Sequence, residues 1–268
     1  MTETTPPVPP AEPRPRSDWR PRLRWFAAEI AVVVAGVLIA LALNAWWGAR
    51  QEAREERRLL DALHDEFEAN QDRLAQILAF HADLKATATT LLAASTDPRR
   101  VLPADSIDQW LADITWWSSY TTLESTVLDA AVQDGQLALI QTDSLRRLLS
   151  SWRSEVASAS AQSSQEFEHY SGTWLPMLRA EADLARISNA ATTIPGSTTP
   201  YQADSMPVSS DRIDHRPLLR SRAFQNALVQ KVWIEEDVLY QYETLRPLLD
   251  RLLAALEQEV GERTEGRP

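Results

Sequence analysis

The sequence predicts an all-α protein in which an N-terminal transmembrane helix continues into an antiparallel helical bundle with coiled-coil-like seams. Three observations carry this. An apolar run lies between Trp25 and Trp47, and three later stretches place apolar residues at alternating spacings of three and four. Only seven glycines occur in 268 residues, in a chain dominated after the apolar run by Leu, Ala, Glu, Gln and Arg.

The first 24 residues contain seven of the sixteen prolines and five arginines, which predicts a disordered cytoplasmic tail over 1–24. Residues 25–47 follow as the transmembrane helix. Its 23 residues would rise about 34 Å as a helix, enough for a hydrocarbon core of about 30 Å, and the terminal tryptophans fall at the two interfaces. Ala40-Leu41-Ala42 also satisfies the small-residue rule for signal cleavage after Ala42. Either outcome exports the domain. Five arginines before the run against Arg50, Arg54, Arg57 and Arg58 after it place the N-terminus in the cytoplasm and the C-terminal domain outside the cytoplasmic membrane.

Residues 48–262 then form the extracytoplasmic bundle. Its first seam runs through Leu60, Leu63, Phe67, Asn70, Leu74, Ile77, His81, Leu84, Ala88 and Leu91 and ends at Thr96-Asp97-Pro98. Shorter helices are expected over Asp105–Trp117 and Thr121–Val132, the latter closing at Gly135. A second seam starts at Leu145 and passes Leu149, Trp152, Val156, Ala159 and Ser163. It then shifts to Phe167, Tyr170, Trp174 and Met177, with a kink or break at Pro176. Residues 189–216 hold Pro195, Gly196, Pro200 and Pro207 and read as a long flexible loop. The last helix begins near Pro217 with the seam Val238, Tyr242, Leu245, Leu249, Leu252 and Leu256, and 263–268 is a disordered C-terminus.

Charge narrows the function. Of the formal net charge of −11, −12 belongs to residues 48–268, which argues against a nucleic-acid partner for the bundle. No cysteine is present, so disulfides and thiolate chemistry are excluded. Glycines never fall in a phosphate-loop or dinucleotide pattern, and neither Gly-x-Ser-x-Gly nor His-Glu-x-x-His occurs. The chain is therefore expected not to be an enzyme and to need no cofactor or metal. His64 and Glu68 lie one helical turn apart, a spacing two metal ligands can use, but in so acidic a chain they read as a solvated face. Trp110, Trp116 and Trp117 read as core.

Two sets of polar residues interrupt apolar surfaces. Asn70 and His81 sit on the first seam, where such residues fix register or partner at a cost in stability; replacing both by Leu is then expected to stabilise the domain. Inside the membrane segment, Glu29 continues along one face through Val33, Gly36 and Ala40. Together with Asn44 this strip is a candidate contact with a second membrane helix.

Two stretches, Glu29 to Phe67 and Leu128 to Trp152, carry a resemblance. In the first, Glu29 enters an apolar core over Gly36 to Leu41, followed by Asn44, Trp46, Trp47 and a charged Arg/Glu helix. In the second, a turn at Gly135 leads through Leu139, Ile140, Thr142 and Asp143 into Leu-Arg-Arg-Leu-Leu. Both are similar to a bacterial family of uncharacterised single-pass membrane proteins. The resemblance implies the topology above and no activity, and Gly48 stands where relatives often continue with a charged residue. The function expected is a membrane-anchored interaction or scaffold protein, working in the lipid bilayer through a protein partner or as a homo-oligomer. The alternative is an extracytoplasmic sensor of an unknown small-molecule ligand, signalling through a partner protein.

Overall fold

The computed structural model describes residues 19–97, 99–100, 102–115, 122–191, 206–209 and 213–265, and among these it holds helices, turns and no strand. Two units are separable, residues 1–54 and 55–268, against the sequence boundary at 48. Helix α1 (Trp19–Thr96) belongs to both.

In the first unit α1 begins six residues before the predicted span, so 19–24 are helical and not part of a tail. Pro21 is tolerated there because the first turn's N–H groups have no intrahelical acceptor. The rest of the expected tail lies outside the described residues. The apolar side chains described between Ile30 and Leu43 are exposed, as are Trp25, Trp46 and Trp47. Among the described residues this is the one stretch long and apolar enough, by length and composition, to cross a membrane. The Arg50 guanidinium lies 5.7 Å from the centre of the Trp46 ring. The helix continues through Gly48 without a break.

The second unit is built on three long helices: α1 from Glu55 onward, α4 (Asp143–His169) and α8 (Arg222–Glu265). His81 meets Glu235 and Ser95 meets Gln225 between α1 and α8. Thr142 just ahead of α4 meets Glu259 and Glu166 meets Lys231 between α4 and α8, and Phe67 packs edge-on against Trp152 at 5.3 Å. Residue numbers therefore rise together in α1 and α4 and fall along α8, which is antiparallel to both. Parallel pairing of α1 with α4 requires the chain to travel back between them. It does so through α2 (Ala104–Thr115), α3 (Thr126–Gln133) and a 3-10 turn (Gln136–Leu139), with Gly135 at φ 70° supplying the left-handed residue between the last two.

Side chains of α1 hold the returning segment. Glu66 accepts the backbone N–H groups of Val127 and Leu128, satisfying two orphan donors of α3's first turn. Glu56 accepts the N–H of Gln141 ahead of α4. These capping carboxylates lie 61 to 85 residues from their partners, which explains why α3 starts at Thr126 and not at the predicted Thr121.

Past α4 the helix widens into a π turn (Tyr170–Trp174) and resumes as α5 (Leu175–Glu181), which carries Pro176 in its first turn. A π turn loosens the ladder where proline cannot donate to it, so the expected break is absorbed without ending the helix. Helices α6 (Leu184–Ala190) and α7 (Arg216–Arg220) bracket the predicted loop, of which 192–205 and 210–212 lie outside the described residues. α8 extends to Glu265, so 263–265 are helical where a disordered end was expected. Trp116 and Trp117 lie outside the described residues, and Trp110 packs half-buried on the core.

Helix α1 has no basic residue in its own last turn. Arg220 supplies one from α7: its guanidinium donates to the carbonyls of Ala94, Ser95, Asp97 and Arg100. Replacing Arg220 by Ala leaves these acceptors to water and is expected to cost about 1.5–3 kcal/mol of unfolding free energy. Urea unfolding of the detergent-solubilised chain measures this; an unchanged midpoint and slope would show that the cap contributes nothing.

Candidate functional site: a charged layer inside the bundle

Most of the buried apolar residues fall into two groups. One contains Leu60, Phe67, Ile77, Leu149, Trp152, Val238 and Leu252; the other contains Leu91, Ile107, Leu111, Trp174, Phe224 and Leu228. On α8 the seam passes from Leu228 to Val238 through Lys231 and Glu235, keeping the three-and-four spacing. On α4 it passes from Ala159 to Glu166. Here the predicted shift to Phe167 is wrong: Phe167 is 50% exposed, and Glu166 takes the inward position because the heptad continues unbroken. His81 is the corresponding residue of α1. Five ionisable groups thus lie between the two apolar groups: His81, Glu166, His169, Lys231 and Glu235, none more than 5% exposed.

Their geometry is a chain of close contacts. Lys231 Nζ lies 2.6 Å from Glu235 Oε1 and 3.1 Å from Glu166 Oε1. His81 Nδ1 is 2.7 Å from Glu235 Oε2, and its ring lies nearly parallel to that of Tyr242 with centroids 6.2 Å apart. Neither ring nitrogen of His169 has an aligned hydrogen bond, and Glu166 Oε2 has no donor. Glu235 Oε1 likewise meets the ammonium as a close charge without hydrogen-bond alignment.

Burial and the neighbouring charges compete to set the protonation states. Burial would raise Glu235, but Lys231 and then His81 outweigh it and hold the carboxyl well below its usual range. Burial likewise opposes the charge on Lys231, yet Glu235 and then Glu166 keep its pKa above the ordinary lysine value. For Glu166 burial wins over Lys231 and pushes the carboxyl up to about 8, with the neighbouring Glu235 adding to the rise. His169 is pushed down to about 4 by burial and by Lys231, against the pull of Gln230 and Glu235.

Ligand atoms of His81, Glu166 and Glu235 lie within 4.8 Å of one another, a spacing a metal ion can bridge. The donor set fits a divalent cation in chemistry but not in charge, because the Lys231 ammonium already occupies the space between both carboxylates. The other histidine site is superficial: His64, Asp65 and Glu68 come together, and His64 and Glu68 line a groove with Asp250 and Glu257.

A second polar knot closes the far end of the bundle. His215 Nδ1 lies 2.7 Å from Asp108, whose other oxygen accepts from Arg186, while His215 Nε2 accepts the backbone N–H of Asp183. With Nε2 accepting, Nδ1 must carry the proton donated to Asp108, so both ring nitrogens are engaged and neither is free to act as a general base. Beside it lies a cavity of about 320 Å³ lined by Ala112, Thr115, Tyr170, Leu175, Ile187 and Met206.

The structure separates the two polar seam residues predicted in α1. His81 joins the charged layer. Asn70 instead donates to the carbonyl of Glu124 and accepts its N–H, both at 2.7 Å, pinning the segment before α3. The membrane-segment candidates Glu29, Gly36, Ala40 and Asn44 are all exposed on α1. Glu166, Lys231 and Glu235 lie outside the predicted seams yet on their spacing: three residues beyond Ser163 stands Glu166, and three and then four residues before Val238 stand Glu235 and Lys231, whereas no such signal marks His169.

Residues 29–154 match the model of a family of unknown function (DUF6090). The match contains Glu56, Glu66 and Asn70 together with the backbone groups they bind, and His81, but stops before the α4 and α8 members of the charged layer. No curated protein and no solved structure matches the chain.

The double hydrogen bond of Asn70 reverses the sign expected from seam polarity alone. Asn70→Leu strands the N–H and C=O of Glu124 and is expected to destabilise the chain by about 1–3 kcal/mol. Thermal unfolding of the single variant measures it, and a raised midpoint would return Asn70 to a register-setting role.

Proposed function

We propose that the chain is a membrane-anchored helical protein that works by binding a protein partner, with no catalytic step of its own. The observation that carries the reading is the exposed apolar surface of α1 between Trp25 and Trp47, which the described residues leave uncovered and which a bilayer would cover. In the second unit, the outer face of α8 exposes Trp233 and Tyr240 at 63% and 68%, seven residues and two turns apart. Aromatic side chains held so far out of a packed core are the type enriched at protein interfaces. The Arg distribution supports a cytoplasmic N-terminus at the inner membrane and a bundle outside.

The sensor reading draws support from the cavity beside α6, whose size and apolar lining suit a small molecule. It ranks second because few polar groups converge there.

A phosphatase fusion placed after Gly261 is expected to be active and to sediment with membranes. An inactive fusion would overturn the orientation, and a soluble active one the anchoring. Crosslinking of the intact chain in membranes is expected to give a defined larger species that is lost in Trp233→Ala/Tyr240→Ala at unchanged expression. Retention of that species in the variant would remove α8 as the binding face.

A further inference from the structure

The charged layer contains two carboxylates and one ammonium, enclosed by apolar residues on both sides. Lys231 neutralises one carboxylate only. An uncompensated charge at such depth is costly, so the layer reaches neutrality by holding one further proton. The two carboxyl oxygens without an aligned donor, Glu166 Oε2 and Glu235 Oε1, belong to the two groups that share Lys231.

We propose that the Glu166–Glu235 pair is a proton-binding site, and that the proton it holds couples the packing of α4 against α8 to the pH outside the bundle. The groups facing it are known on each helix. From α1 comes His81, with Lys85 one turn on but turned outward to Glu236; from α4, His169; from α8, Lys231 and the neutral Gln230. Among the described residues Glu166 meets no cation but the Lys231 it shares with Glu235, whereas Glu235 also lies against His81, so like-charge repulsion favours one proton on the pair. Glu166 is the member that carries it, because Glu235 is the one bound by both Lys231 and His81.

The direction of the effect follows from the two groups of the layer that change protonation between pH 4 and 8 on folding. In the unfolded chain Glu166 ionises near 4.5, and in the folded chain near 8, so folding takes up a proton between those values and stability falls as pH rises through them. His169 ionises near 6.5 unfolded and near 4 folded, so folding releases a proton between these and stability rises with pH. The two cancel from 4.5 to 6.5. Above 6.5 Glu166 dominates, and the folding equilibrium constant should fall by roughly tenfold between pH 6.5 and 8, because the limiting tenfold per pH unit for one proton is reduced close to each pKa.

The test is urea unfolding of the detergent-solubilised full chain across this range, with infrared spectroscopy of the carboxyl stretch. The wild type should lose stability from pH 6.5 to 8, Glu166→Gln should not, and His169→Gln should extend the loss down toward 4.5. A fall that persists in Glu166→Gln would overturn the proposal. If that variant does not fold, the wild type decides alone. A protonated-carboxyl band that disappears with a midpoint near 8 supports the site, and no such band between about pH 6 and 9 rejects it.

Discussion

A lysine in the middle of a three-helix core has to be neutralised from within that core. Lys231 does this with Glu235 one turn away on its own helix and with Glu166 on the facing one, and His81 on the third helix completes the contact. This contact can form in one register only. Sliding α4 or α8 by a turn would bury an unpaired charge, at a cost of several kcal/mol. The apolar seams above and below could tolerate such a slip far better, since one leucine resembles another. The charged layer therefore selects the alignment that the two apolar groups then stabilise.

The same helix that contributes His81 also organises the segment that returns between α1 and α4. Glu56, Glu66 and Asn70 each bind backbone groups of that segment and do for it what local capping residues do in most proteins. Ser125 and Thr142 stand at the N-cap positions of α3 and α4 without making a side-chain cap. Helix α1 thus carries two kinds of information: an apolar and charged seam toward α4 and α8, and polar groups that fix where α3 and α4 begin. That the family match spans α1 and the returning segment fits this division, since those residues form contacts among themselves.

Most of the fold was legible in the sequence because burying leucine at three-and-four spacing leaves little choice of helix face. Every residue of the predicted α8 seam from Val238 to Leu256 is buried, and so is every predicted α1 seam position from Leu60 to Leu91. What was not legible depended on distant partners. Glu66 looks like any acidic residue of a charged helix until α3 is placed above it, and Arg220 looks like a solvated cation until the end of α1 lies beneath it. Glu166 and Phe167 show the limit most plainly: hydrophobicity alone favours Phe167, whereas the unbroken heptad gives the inward place to Glu166, where Lys231 pairs with it.

The central claim is that Lys231 and its carboxylates form one mutually dependent unit setting the bundle's register. The most direct measurement compares unfolding of Lys231→Met with that of the triple variant Lys231→Met/Glu166→Gln/Glu235→Gln in the full chain. The account predicts a loss of about 3–5 kcal/mol for the single variant, which strands buried carboxylates, and recovery of most of that loss in the triple variant, which removes their charge. A single variant as stable as the wild type, or a triple variant no better than the single, would contradict it.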